Sequence, residues 1–302
     1  KKIQTNQKRE FLIKRVINVI IQKSFQNDKP TLYIVPTPIG NLDEMTPRAI
    51  EILKSVDVIG AEDTTVTLSL LKKFNIKTRV VQHQSHNEIE SSAGLINLLS
   101  QGYNIAIVTD AGYPLISDPG QNVVNIATSM GYNVVPLSGA NAALNALVAS
   151  GLEAQPFVFI GFLSSNNNER IKELNRYKDI KMTMIFHEAP HRIEKMLKAC
   201  IEVLGDRNAC LAREITKYHE EFIRGTLKEI LEVSKNLKGE IVLVVDGNKE
   251  ENKPAIDMSN IIKMVNESIA LGLSTTDAIK EVAKITGVKK NTVYEMFHSG
   301  NN

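Results

Sequence analysis

Between Thr31 and Gly247 the chain alternates two kinds of segment: short apolar runs without polar interruption, and longer stretches with apolar residues at helical spacing. Thr31–Asn41 (TLYIVPTPIGN) begins as a strand and breaks into a Pro/Gly turn. Thr46–Asp57 reads as a helix, with Thr46 suited to the N-cap and Pro47 to the first helical position. Next come a strand at Val58–Asp63 ending in acids, a helix near Thr67–Phe74 and a strand at Thr78–His83. A helix at Ser91–Gln101 and the continuous apolar strand Asn104–Asp110 follow. Helix Gly120–Met130, strand Asn133–Ser138 and helix Asn141–Ala149 close this run. A second run starts near Phe157. Its predicted strands are Phe157–Gly161, Lys181–Glu188, Ala209–Arg213 and Gly239–Gly247, and its predicted helices are Asn168–Tyr177, His191–Val203 and Thr226–Leu237. Apolar strands separated by helices predict mostly parallel sheets covered on both faces.

The expected organisation is a basic N-terminal extension (1–29), two α/β domains (30–150 and 151–247), a polar aperiodic linker (248–259) and a small helical tail (260–302). The tail carries helix–turn–helix spacing with Gly287 at the turn; its nearly balanced charge suits a packing domain as well as a nucleic-acid reader.

Composition narrows the function classes. With 43% hydrophobic and 23% charged residues the chain reads as an ordinary globular protein. Cys200 and Cys210 are the only cysteines; without a CxxC or a His cluster they read as buried apolar side chains in a reducing cytosol, and no metal site is expected. Net charge is +2, but the first 29 residues hold eight Lys/Arg against Glu10 and Asp28, a net of +6 that leaves −4 for the rest. The body therefore lacks the field of a non-specific nucleic-acid binder. The extension reads as a mobile arm or an amphipathic basic helix; its apolar run Val16–Ile21 is too short to span a membrane, and a cytoplasmic protein is expected.

Chemistry concentrates where strands end. In open α/β sheets, ligands gather at the carboxyl ends of strands, where backbone amides and helix N-termini are free. Pro36–Asn41 (PTPIGN) is one such loop, and Asp110–Gly120 (DAGYPLISDPG) another, with two Gly, two Pro and two Asp. Gly112 and Gly120 permit sharp turns and close backbone approach, while Asp110 and Asp118 offer acceptors for ribose hydroxyls or an amino group. No G-x-G-x-x-G or P-loop is present. Leu137–Asn141 places Ser138 and Asn141 before a helix, where capping and ligand contact are both open. His187–Arg192 (HEAPHR) and Ala212–Thr226 (AREITKYHEEFIRGT) crowd charges after two further strands. The absence of GxSxG, HExxH and a supported Cys–His pair removes hydrolase and metalloprotease readings.

Five stretches over Leu32–Val245 occur in an order that resembles the tetrapyrrole-methylase superfamily: LYIVPTPIGNLDEMTPRAIEILKSVDVIGAEDT, TDAGYPLISDPG, HEAPHR, AREITKYHEEFIRGT and KGEIVLVV. HEAPHR and AREITK resemble the branch acting on small-subunit ribosomal RNA rather than the porphyrinoid enzymes. The resemblance implies two α/β domains with mixed sheets (tetrapyrrole-methylase-like), the cofactor S-adenosyl-L-methionine in the interdomain cleft, and a homodimer. It also implies methylation of the 2'-oxygen of a cytidine in the decoding region of the small-subunit ribosomal RNA, within the assembled subunit. Carried over by position, Pro36, Thr37, Pro38 and Gly40 form one cofactor wall. Asp110, Gly112, Pro114, Ile116, Ser117 and Asp118 form the main loop, with Ser138, Asn141, Gly239 and Glu240 as further contacts. A ribose hydroxyl needs a positioned base or a cation that stabilises the oxyanion. Glu188, His191 and Glu214 are the candidate bases, and Arg192, Arg213 and Lys217 the candidate phosphate or oxyanion contacts.

The chain departs from the family pattern where that pattern is basic. TVTLSLL follows AEDT, supplying Thr65, Val66, Leu68 and Ser69, and the nearly neutral SSNNNER follows GFL. Tyr113 and Ser138-Gly139-Ala140-Asn141 replace the usual Thr and Pro-Gly-Pro-Ser. The departures thin the cationic positions and weaken salt-dependent RNA attraction. Two alternatives follow: a methyltransferase of a tetrapyrrole-like small molecule, or an inactive ribosome-binding homologue.

Overall fold

The computed structural model describes residues 19–84, 88–249 and 258–299. Most of the basic extension and most of the linker lie outside the described residues. The strands through Val245 form two five-stranded sheets within one compact unit that runs to Asn248; residues from Lys249 form a second unit.

The first sheet contains β1 (Thr31–Ile34), β2 (Val58–Ala61), β3 (Arg79–Gln82), β4 (Ile105–Val108) and β5 (Asn133–Pro136), in the order β3-β2-β4-β1-β5. Of the two sheets expected to be mixed, this one pairs all its strands in parallel. Successive side chains of a strand point to opposite faces, and here both faces are covered. Ala106 and Val108 of β4 pack with Ala49 and Leu53 of α1 (Pro47–Ser55) and Leu71 of α2 (Thr64–Lys73). Ile105 and Ile107 pack on the other face with Leu95 and Leu99 of α3 (Glu88–Ser100) and Val123 of α4 (Gln121–Ser129). The inner strands β2 and β4 have no polar positions because neither of their faces meets water.

Local chemistry sets the helix starts. Thr46 accepts from Ala49 N and Pro47 occupies the first turn of α1, as the sequence predicts. Asp63 accepts from Thr65 N and Val66 N, starting α2 three residues earlier than expected. Asn141 accepts from Leu144 N at the start of α5 (Ala142–Ser150).

The second sheet has the order β6-β7-β10-β8-β9, with β6 (Phe157–Phe162), β7 (Thr183–Glu188), β8 (Asn208–Arg213), β9 (Glu221–Thr226) and β10 (Ile241–Val245). Only β6 and β7 are parallel. One face carries α6 (Asn167–Asn175), α7 (Ile193–Leu204) and α8 (Leu227–Val233), through residues such as Leu174, Leu197 and Ile230. The other face is covered by α5: Ala146 and Leu147 pack with Ile185, Cys210, Ala212 and Val244. The last helix of the first half thus serves as a layer of the second. α8 ends at Val233, short of the expected Leu237, and His191 belongs to a one-turn 3-10 helix (Pro190–Arg192) preceding α7.

The extension is not a free arm throughout, and no helix forms over residues 19–29. The Gln22 side-chain amide donates to Val134 O (2.9 Å) and its oxygen accepts from Val134 N (2.9 Å), imitating a strand partner along the edge of β5. Asn133 Nδ2 donates to Asn27 Oδ1 (2.9 Å), and Lys29 Nζ to Gly131 O (2.8 Å). The arm covers the sheet edge.

The second unit holds α9 (Met258–Ala270), α10 (Thr275–Thr286) and α11 (Lys290–Ser299) around Ile261, Val265, Ile279, Val282, Val293 and Phe297. Gly287 ends α10 with φ 68°, in the left-handed conformation that glycine adopts without strain. α9 begins two residues inside the expected linker. No helix among the described residues is long and apolar enough to cross a membrane.

Candidate active site

The two loops singled out from sequence meet. β1 and β4 are neighbours in the first sheet, so the loops after them leave side by side. Thr37 N donates to Gly112 O (3.0 Å) and Gly112 N to Thr37 O (3.1 Å), a two-bond bridge between PTPIGN and DAGYPLISDPG. Thr37 Oγ1 donates to Thr109 O (3.0 Å). Gly112 has φ 81°, which the bridge requires and a side chain would strain. Tyr113 Oη accepts from Gly139 N (3.0 Å), tying in the Leu137–Asn141 turn. Pro36, Thr37, Pro38, Gly112 and Pro114 are buried, whereas Gly40, Asp110, Ile116, Ser117 and Ser138 are exposed.

Carboxylates collect around the bridge. Asp110 Oδ1 accepts from Asp63 N (3.2 Å), and Thr109 Oγ1 donates to Glu62 (2.7 Å). Desolvation, then the charges of Glu62 and Asp63, push the Asp110 carboxyl above its usual range. Asp118 is raised likewise by burial, with Glu62 and Asp110 adding repulsion. The loop ends on Glu88, whose Oε1 accepts from Gly120 N (3.0 Å) and Asn122 N (3.1 Å) at the start of α4. Those two amide bonds hold the Glu88 carboxyl below its usual range, and an anion at a helix N-terminus is favourable.

Beside the loops lies a cleft of about 500 Å³ lined by Pro38, Gly40, Leu42, Thr65, Val66, Ser69, Leu70, Lys73 and Asp110. Thr65, Val66 and Ser69, three of the departures from the family pattern, form its α2 wall. One cation, Lys73, and one carboxylate, Asp110, are among the lining residues.

From the second half, the turn between β8 and β9 closes on the PTPIGN loop. Asn41 N donates to Thr216 Oγ1 (3.1 Å), Ile39 and Ile215 share a core, and a Cβ on Gly40 would strike the Lys217 stem at 2.4 Å. Lys217 Nζ donates to Glu214 Oε1 (3.0 Å) and Glu240 Oε2 (3.0 Å). The Lys217 hydrogen bond leads in lowering the Glu214 pKa; burial works against the Lys217 charge, but the two carboxylates raise its pKa overall. Gly239, with φ 87°, leaves room for Glu214: a Cβ there would lie 2.3 Å from Oε1. Gly40, Glu214, Lys217, Gly239 and Glu240 are therefore brought together. Asn141 caps α5, and Arg213 pairs with Glu221 on β9, a strand hidden in the sequence among charges.

Glu188 and Arg192 stand apart from this group. Met184 and Phe186 of β7 face α7, Ile185 faces α5, and alternation puts Glu188 on the α7 side. Its side chain is 0% exposed, pairs with Arg192 Nε at 2.9 Å and accepts from Ala189 N. Arg192 also donates to Leu163 O. Glu188 and Arg192, expected as a base and a phosphate contact, are paired with each other inside the second half, and neither is among the residues lining the cleft. His191 is exposed. Sequence reasoning missed Glu62, Asp63, Tyr113 and Thr216 as parts of the site. Glu62 and Asp63 were findable, since they end a strand as Asp110 does.

Paired Gly/Pro loops at adjacent parallel strand ends, an acid cluster and a second sheet closing over them define the class. The family model for tetrapyrrole (corrin/porphyrin) methylases matches residues 31–231, and a model for the RsmI C-terminal HTH domain matches 268–299. A ribosomal RNA small subunit methyltransferase I of Bacillus subtilis (strain 168) is 45% identical over 285 residues, 92% of this chain and 98% of that protein. A protein of the same name from Streptococcus pyogenes serotype M18 is 42% identical, covering 92% and 99%. Among solved structures, diphthine synthase has TM-score 0.56 at 14% identity, covering 72% of this chain and 90% of that one. Uroporphyrin-III-C-methyltransferase from Thermus thermophilus has TM-score 0.53 at 18% identity, covering 72% and 94%. The chain belongs to the tetrapyrrole methylase family and, within it, to the ribosomal RNA small subunit methyltransferase I group.

Proposed function

We propose that the chain transfers the methyl group of S-adenosylmethionine to the 2'-oxygen of a cytidine in the decoding region of small-subunit ribosomal RNA. In this reading it acts on the assembled subunit, as a homodimer in the cytoplasm. The observation that carries the proposal is 45% identity, over nearly the whole length of both chains, to a protein named for methylation of that RNA. The cytidine and the 2'-oxygen rest on the HEAPHR and AREITK stretches.

The residues fit the cofactor. It carries a sulfonium and an ammonium, and Asp110, Asp118 and Glu62 supply negative charge at the bridged loops. When bound, it presents a methyl group on a positively charged sulfur. Pro36, Thr37, Pro38, Gly40, Gly112, Pro114, Ile116 and Ser117 would hold it by backbone and shape, with Ser138, Asn141, Gly239 and Glu240 completing the cradle. With the β8–β9 turn held against Gly40 and Asn41, the cradle would shield the reacting atoms from water and fix the approach of the ribose. Of the candidate bases, Glu214 is a weak proton acceptor because the Lys217 hydrogen bond stabilises its charge and lowers its pKa. The exposed His191 is our choice to take the 2'-hydroxyl proton, with Arg213 and Lys217 ordering the rim.

The test uses purified protein, labelled S-adenosylmethionine and small subunits from cells lacking the gene. Label in one cytidine 2'-O-methyl is the expected result. Cofactor binding without transfer to RNA overturns the substrate; no cofactor binding by calorimetry overturns the enzyme.

A further inference from the structure

Three of the cations in the second half are already engaged within the fold. Lys217 is shared between Glu214 and Glu240, and Arg213 pairs with Glu221. Arg224 Nη2 donates to Ala149 O (2.6 Å) at the end of α5. The cleft wall on α2 carries one cation, Lys73, among otherwise neutral residues, and the body of the chain carries net negative charge. A phosphate-led grip is therefore weak here. RNA is also recognised by stacking of unpaired bases on aromatic rings, which requires no charge.

One aromatic ring is placed for that. Tyr218 is 97% exposed, more than any other large hydrophobic residue in the described part of the chain. It follows Lys217, whose stem covers Gly40 at the mouth of the cleft. The turn that carries it is rigid: Lys217 N donates to Glu214 O, Glu220 N to Lys217 O, and Thr216 N to Glu220 Oε2 (2.7 Å). Two non-glycine residues, Glu214 (φ 50°) and Thr216 (φ 70°), are held in the left-handed region to shape it. Such strain is characteristic of functional loops. The His219 ring lies T-shaped to Tyr218 at 5.1 Å, and the tyrosine stays almost fully exposed beside it.

We propose that Tyr218 is a stacking platform for an unpaired base of the substrate RNA, so that this rim recognises RNA by ring contact rather than by phosphate pairing. The inference rests on the proposed RNA methylation.

Its test is the steady-state kinetics of Tyr218→Ala, Tyr218→Phe and the unaltered protein on small subunits from cells lacking the gene. Base–aromatic stacking predicts a roughly 5- to 150-fold rise in KM for the subunit in Tyr218→Ala. KM for S-adenosylmethionine and the unfolding midpoint should stay unchanged, because the ring buries almost nothing in the fold. Tyr218→Phe should retain near-normal KM. A Tyr218→Ala protein that methylates subunits with unaltered KM overturns the stacking role alone. Absence of transfer by the unaltered protein overturns the RNA reading, and this proposal with it.

Discussion

The Asp110–Gly120 loop and the Glu188–Arg192 stretch both follow strands, both are rich in charge, and both carry family motifs; the fold treats them in opposite ways. The first keeps its carboxylates near solvent and ties its backbone to the neighbouring loop through the Thr37–Gly112 bridge. The second turns Glu188 inward, where it meets Arg192 beneath the Leu163 carbonyl. Strand parity makes the difference. His187, one residue earlier, takes the α5 side, where burial lowers its pKa and the Phe159 and Phe162 rings flank it. A motif at a strand end thus marks a site only when its parity aims the charge at the cleft.

The contrast is sharpest when each charge is removed. Glu188→Ala leaves Arg192 without its buried partner and should cost about 3–5 kcal/mol in denaturant unfolding, with loss of activity following loss of fold. A cost under 1 kcal/mol would remove the claim that this pair is structural. Asp110→Asn should do the reverse. S-adenosylmethionine binding should weaken about tenfold by calorimetry, equivalent to about 1.4 kcal/mol, while stability at neutral pH holds or improves. The sign follows from the raised pKa: the folded state binds the proton more readily than the unfolded one, so this carboxylate loses stability for the fold as pH rises above the ordinary Asp value. A destabilised Asp110→Asn with normal binding would place Asp110 in the structural class beside Glu188.

Glu88 offers an intermediate case, a structural anion at the end of the Asp110–Gly120 loop. Glu88→Gln should cost about 0.5–2 kcal/mol, as removal of a helix cap does. Its pKa is depressed, so its contribution is complete above the ordinary Glu value and fades as pH falls through the lowered one. Parallel pH–stability curves for the variant and the parent would contradict that assignment. The smallest effect concerns salt. Because the rim cations are internally paired, log KM for the subunit should change with log salt with a slope of only about one to three phosphate contacts. A slope of six or more would show that phosphates, not ring contacts, carry recognition.

Much of the first half was legible in sequence. Uninterrupted apolar runs gave away doubly covered strands, and Thr46 and Asn141 marked helix starts through their own capping bonds. The two Gly/Pro loops were legible because Gly and Pro are demanded by backbone geometry, which sequence records directly. β9 was not legible, because it is an edge strand in which Glu221 and Arg224 face solvent or pair locally, so no apolar run marks it. The role of α5 was hidden for another reason: its apolar faces look the same whichever sheet they cover. The positions of Glu188 and Lys217 depend on strand parity and on a strained turn, and residue type encodes neither. Gln22 shows the same limit, since its partner Val134 lies 112 residues away.

The RNA substrate is tested by a 2'-O-methylation map of small-subunit ribosomal RNA from cells with and without the gene. The expected result is one decoding-region cytidine that loses its 2'-O-methyl on deletion and regains it when the gene is restored. An unchanged map would contradict methylation of that cytidine by this protein.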